Sequence, residues 1–221
     1  IATIGIHFNL KAGTEPFKLQ QPYINSWQEP FTVSVFKFYT GLYELRDNNG
    51  NSYITKGEPY YLSDAAMAGS LEINTTVTPG SYSQLKFILG VDSARNVSGI
   101  QSGALDPMNG MFWTWNSGYI YAKMEGNSTV SAAINKMIEY HIGGFRWPYS
   151  AINEIVLDLG ESVMLEKDQH LNIELDADIQ QWFQGEYPLQ ISETPVCATP
   201  GERAYKISRN YKNMFSVSNI S

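Results

Sequence analysis

Apolar side chains recur at every second position along much of this chain, and that period commits it to strands. Ile4, Ile6, Phe8 and Leu10 alternate with Thr3, Gly5, His7 and Asn9, as expected of a strand with one face buried and the other in water. Leu85, Phe87, Leu89 and Val91 repeat the pattern. So do Ile155, Leu157 and Leu159, and later Leu171, Ile173 and Leu175. Ile120, Ala122 and Met124 give another strand, with Tyr119, Tyr121, Lys123 and Glu125 facing the other way. Between residues 31 and 39 the apolar phase switches from Phe31, Val33 and Val35 to Phe36 and Phe38, which predicts a bulge or a strand buried on both faces.

Turn residues punctuate these runs. Asp47-Asn48-Asn49-Gly50 separates two β-rich stretches and reads as a hairpin loop, because Asn and Gly tolerate positive φ. Pro79-Gly80 marks a tight turn before the Leu85 run. Neither an internal repeat nor a linker appears. The expectation is an all-β fold: one β-sandwich domain over residues 1–221, with long ordered loops and a short C-terminal helix. Thr199-Pro200-Gly201-Glu202 matches a capping box with Pro at the first helical position. Ala204, Ile207, Tyr211 and Met214 follow at near-helical spacing, so this helix is expected to close an open face or edge of the sandwich. Residues 131–137 leave helix and loop both open.

Composition narrows the function classes. The 221 residues carry a net charge of −7, which opposes attraction to nucleic acid or to anionic lipid. No nucleic-acid partner is expected. No apolar run approaches the ~18 residues of a membrane helix, so no transmembrane segment is expected. The single cysteine, Cys197, excludes an internal disulfide and a C-x-x-C metal or haem motif. Both a cytosolic and a bacterial envelope protein fit that usage. The chain starts at Ile1, not Met, which suggests that a signal peptide has been removed. Nucleophile-elbow, P-loop, dinucleotide and H-E-x-x-H motifs are all missing. Carboxylates such as Asp92, Asp106, Glu125 and Glu139 can be paired on paper in any acidic chain, so they carry no glycosidase signal. The expectation is a protein that is not an enzyme.

Residues 90–118 break the periodicity. They are rich in Gly, Ser, Asn and Asp, yet end in Met111, Phe112, Trp113 and Trp115. Bulky aromatics argue for an ordered, packed loop. Its oxygen-bearing side chains Asp92, Asn96 and Asp106 suit either a hard cation such as calcium or the capping of turns within the loop. Trp113, Trp115, Tyr119 and Tyr121 suit either core packing or stacking on a sugar or peptide. The three histidines are His7, His141 and His170. Strand parity puts His7 and His170 on polar faces, the latter with Asn172, Glu174 and Asp176. His141 sits opposite Tyr140 and Ile142, on the face of Glu139, and precedes Gly143-Gly144, a pair that permits close backbone approach.

The segments GVDSARNVSG, GALDPMNGMFWTWNSGYIYAKMEG and YHIGGFR, with FTVSVFKFYTGLYEL, PYYLSDAA and NYKNMFSV, resemble the MbnP-like family, related to copper-binding proteins of methane-oxidising bacteria. They occur in family order over nearly the whole chain. The resemblance implies a β-rich protein of the periplasm or cell surface, often a lipoprotein anchored upstream of the domain. It implies copper held by histidines together with a tryptophan oxidised to kynurenine by a di-haem peroxidase-like partner. Carried over by position, the metal ligand is His141, with His7 as a second candidate, and the modified residue is Trp113 or Trp115. Leu10 and Tyr61 stand where the family often has histidine. Met108, Met111 and Cys197 are further soft donors. The alternative that follows is a non-metal surface or scaffold module with a degenerate copper site.

Overall fold

A computed structural model describes residues 1–221 and shows a mixed two-sheet sandwich. The smaller sheet holds β1 (Ala2–Ala12), β2 (Glu15–Pro16), β7 (Glu72–Val77), β13 (His170–Asp178) and β15 (Phe215–Ile220). The larger holds β3 (Tyr23–Ile24), β4 (Pro30–Arg46), β5 (Ser52–Ile54), β6 (Tyr60–Asp64), β8 (Gly80–Leu89), β9 (Phe112–Thr114), β10 (Gly118–Asn127), β11 (Met137–Gly143), β12 (Asn153–Leu165) and β14 (Val196–Cys197). Its main path runs β12-β8-β4-β10-β11-β14. Most neighbours are antiparallel, but β1 runs parallel to β13, and β11 parallel to β14. No helix is long and apolar enough to cross a membrane.

The inward rows are those that the alternation marks. Ile4, Ile6 and Phe8 of β1 are buried, as are Leu85, Phe87 and Leu89 of β8 and Leu171, Ile173 and Leu175 of β13. Phenylalanines from both sheets interlock: Phe8 meets Phe38 edge-on at 5.3 Å, and Phe215 meets Phe87 at 5.3 Å. Such edge-to-face pairs add to the area term that drives sheet packing. The phase switch in β4 is a bulge. Glu125 pairs with Val35 but Gly126 with Val33, so Ser34 is the extra residue, and Phe36 and Phe38 turn inward after it.

The hairpin at Asp47 forms as expected. The Asp47 carboxylate accepts from the backbone N–H groups of Asn49 and Asn51, and Gly50 takes φ 82°. The C-terminal helix, α2 (Glu202–Tyr211), begins later than the capping-box pattern indicates. Gly201 is its N-cap, Pro200 lies outside it, and no side chain caps the first turn. The buried row Ala204, Ile207 and Tyr211 is as expected. Tyr211 packs on Trp182 at 4.6 Å, and Trp182 stacks on Tyr140 of β11, so the helix seals that flank of the sandwich. Residues 131–137 contain one 3-10 turn, Ile134–Lys136, and no α-helix.

A buried carboxylate fastens the 190s segment to the sandwich. Glu29 accepts from the backbone N–H groups of Ile191 and Ser192, the Ser192 hydroxyl and the Asn25 amide. Burial pushes its pKa up, but these four bonds outweigh burial and hold it below the ordinary glutamate range. A depressed folded-state pKa stabilises the fold fully above the unfolded-state value of about 4.3 and loses that contribution as pH falls through the folded-state value. Urea titrations should therefore show Glu29→Gln less stable than wild type at pH 7, with the gap shrinking as the pH is lowered below about 4.

Candidate functional site

The run from residue 90 to 118 is an ordered cover on the outer face of the larger sheet. It contains α1 (Ser93–Val97), two 3-10 turns and β9, which pairs with β10. Beneath it lie Tyr39 and Tyr119, edge-on at 5.9 Å. Their hydroxyls donate to the carbonyls of Ala104 and Leu105. Asn96 ties the cover down. Only 2% exposed, its amide donates to the carbonyls of Val91 and Asp92 and to the Tyr121 hydroxyl, and its oxygen accepts from the Tyr119 N–H. At the far end Lys37 and Lys123, cross-strand neighbours, donate to the carbonyls of Asn109 and Gly110.

These bonds consume the oxygens expected to suit a calcium ion. Asp92 caps α1 through the Arg95 N–H and also accepts from the Arg95 guanidinium and the Tyr60 hydroxyl. Burial pushes its pKa up, but those partners prevail and hold it below the usual carboxylate range. Asp106 caps the next turn at the Met108 N–H. Asp92 and Asp106 thus serve as turn and helix caps, and Asn96 as a tie within the cover. Nowhere do three or more His, Cys, Asp or Glu side chains gather as a metal cluster.

The two candidate histidine ligands are on different sheets. His7 lies on the outer face of β1, its Nδ1 3.8 Å from Glu72 Oε1. His170 lies on the outer face of β13 in the same sheet, bonded to Asn172 and Thr3. His141 is on the outer face of β11 in the larger sheet, with its Nε2 2.7 Å from Glu125 Oε1 on β10. Glu139 shares the same face of β11, but the hydrogen-bond partner is Glu125 on the neighbouring strand. The Leu10 and Tyr61 positions hold packing residues. Leu10 lies against the core and Tyr61 meets Tyr43 at 6.0 Å.

One indole does reach the His141 face. Gly143 is two residues beyond His141 on the same side of β11. A Cβ there would stand 2.9 Å from Cζ3 of Trp113 and would also meet the Tyr119 carbonyl. The close approach permitted by the paired glycines is made at Gly143 by the Tyr119 carbonyl and the Trp113 ring, and at Gly144 by Pro200. Trp115 is instead 77% exposed in the loop after β9. Tyr119 and Tyr121 are buried under the cover.

The donor set around His141 is one imidazole and one carboxylate. Their 2.7 Å separation is that of a hydrogen bond, so a metal at this pair would take the place of the shared proton. Nitrogen and oxygen donors suit a cupric ion, whereas a cuprous ion takes sulfur. The Lys123 ammonium, 3.8 Å from the same Glu125 oxygen, opposes a cation. Burial lowers the Lys123 pKa, Glu125 counters that shift, and Lys37 reinforces it. Cys197, in register with the inward Tyr140, is buried and its thiol pKa is raised by desolvation. Met111 is buried and Met108 is on the surface of the cover.

Residues 2–199 match the family model described as MbnP. Among solved structures, MbnP from Methylosinus trichosporium is similar, with 15% identity, a TM-score of 0.59, and coverage of 86% of this chain and 79% of that one. At that identity the likeness speaks to the fold. Comparison with curated proteins gave no match.

Two substitutions test this arrangement. Asn96→Ala strands the Tyr119 N–H under the cover and removes one partner of the Tyr121 hydroxyl, and should cost about 2 kcal/mol in urea unfolding. Hydrogen exchange in that variant should rise first across residues 91–118. Gly143→Ala sets a Cβ against the Tyr119 backbone carbonyl as well as the Trp113 ring, so it should lower the urea midpoint and shift tryptophan emission.

Proposed function

The chain belongs to the MbnP family, and from that premise we propose that it is an extracytoplasmic copper-binding protein whose site is the His141–Glu125 pair beside Trp113. The copper expectation comes with the family resemblance. The single observation that most supports this placement is the Trp113 ring laid over Gly143, two residues from His141 on the same strand face. With Trp115 out in solvent, Trp113 is the better placed of the two for a role at this site.

The site read this way is open and poor in donors. It favours a cupric ion held by nitrogen and oxygen, bound more weakly than in a centre with several histidines. His7 takes no part, since it lies on the other sheet. Oxidation of Trp113 to kynurenine by a di-haem peroxidase-like partner would place an aromatic amine and a ketone at the edge of the same patch. A second reading, a non-metal surface module, is favoured by one contact: the Lys123 ammonium beside Glu125, which partly neutralises the carboxylate hydrogen-bonded to the imidazole.

Titration with Cu(II) distinguishes the two. Under the copper reading wild type takes up one equivalent, His141→Ala loses it, and Glu125→Gln weakens it by about tenfold. Lys123→Met tightens it by removing a like charge. No uptake above that of His141→Ala leaves the non-metal module. In protein from the native host, fragment-ion mass spectrometry should place a gain of about four mass units on Trp113 and none on Trp115.

A further inference from the structure

Beyond the copper reading, and independent of it, a pocket of about 330 Å³ opens between the β9–β10 and β11–β12 loops. Asn116 and Ser117 line it from the first loop, and Arg146, Trp147 and Tyr149 from the second. His141, Glu125 and Trp113 are not among its lining residues. Two features set the pocket apart from the rest of the surface.

The first is exposed aromatic area. Trp147 is 92% exposed, and Trp115, next in the chain to Asn116, is 77% exposed. Leaving the Trp147 indole in water at the wall of the pocket forgoes the burial that usually holds such a ring, and it offers a ligand an aromatic face. The second is charge. Arg146 is the only charged residue in the lining, and no carboxylate faces it there, on a chain of net charge −7. Arg146 Nη2 donates to the Asn116 side-chain oxygen at 3.0 Å and to its carbonyl at 3.4 Å, which joins the two loops. Its Nε and Nη1 donors have no protein partner, and a planar guanidinium with free donors suits a carboxylate.

We propose that this pocket binds an acidic saccharide. The sugar's C–H face lies on Trp147, its carboxylate pairs with Arg146, and its hydroxyls bond to Asn116 and Ser117. The volume is at the lower end of the ~300–1,000 Å³ range of small-molecule sites, enough for one or two sugar rings. A peptide is less well matched, because the walls are loops and offer no free strand edge to extend. An anionic membrane is less well matched too, since one guanidinium meets one anion and lipid surfaces are held by clusters of basic residues.

Calorimetric titration of the full chain tests this with tetramers of galacturonate and of hyaluronan, neutral cellotetraose, hexaglutamate, and phosphatidylglycerol vesicles. The expected result is saturable binding of at least one acidic tetramer and little of cellotetraose. Arg146→Ala and Trp147→Ala should each weaken it by about tenfold or more, with Arg146→Lys and Trp147→Phe restoring part. His141→Ala should leave it unchanged, which separates this pocket from the copper site. Thermal melts confirm that each variant is folded. Failure of both acidic tetramers to bind wild type overturns the proposal. So does binding indifferent to Arg146 and Trp147, or a preference for hexaglutamate or vesicles.

Discussion

The amide of Asn96 is the tie on which the upper layer of this protein depends. A two-sheet sandwich needs only its inner rows, and the interlocked Phe8, Phe38, Phe87 and Phe215 supply them. The larger sheet also buries part of its outer face, which brings tyrosine hydroxyls and backbone groups out of water. Asn96 satisfies several of them at once, bonding Tyr121, the Tyr119 N–H and two carbonyls at the start of the cover. A buried polar network is favourable only when its members are paired. With Asn96 in place the cover can settle, and β9 and Trp113 come to rest on β10 and Gly143.

How much of this is legible in the sequence depends on what each signal measures. Strand parity reads the inner rows of β1, β8 and β13 directly, because the side-chain period is fixed by backbone geometry. It also reads the phase change in β4, where Ser34 is the extra residue. Parity assigns Tyr119 and Tyr121 to the face opposite Ile120, but it does not say that a distant loop lies over that face. The start of α2 is misread for a local reason. Thr199 and Glu202 have the spacing of a capping box, yet Gly201 takes the N-cap position and leaves Pro200 outside.

The site shows the same division. Parity puts His7 and His141 on polar faces, and both are there. Which sheet each face belongs to is a matter of topology, and the parallel pairing of β1 with β13 takes His7 away from β11. Glu125 is already visible as an outward residue of its strand. Its bond to His141 depends on the β10–β11 register, which pairs Lys123 with His141 and Glu125 with Glu139. The paired glycines after His141 are the more informative signal, because close backbone approach implies that something bulky comes near, and Trp113 does.

The place of β1 in the smaller sheet has a consequence for how the chain reaches its native state. Its neighbours are β7 on one side and β13 on the other, with Thr3 opposite both Thr76 and His170. Within this domain an early strand therefore waits for a late one before its second edge is paired. Contacts between such distant segments carry a high loop-closure cost and slow folding. During that wait the unpaired strand exposes an apolar row that a holdase could bind, so completion of the smaller sheet is tied to the arrival of β13 and not to the folding of the N-terminal half.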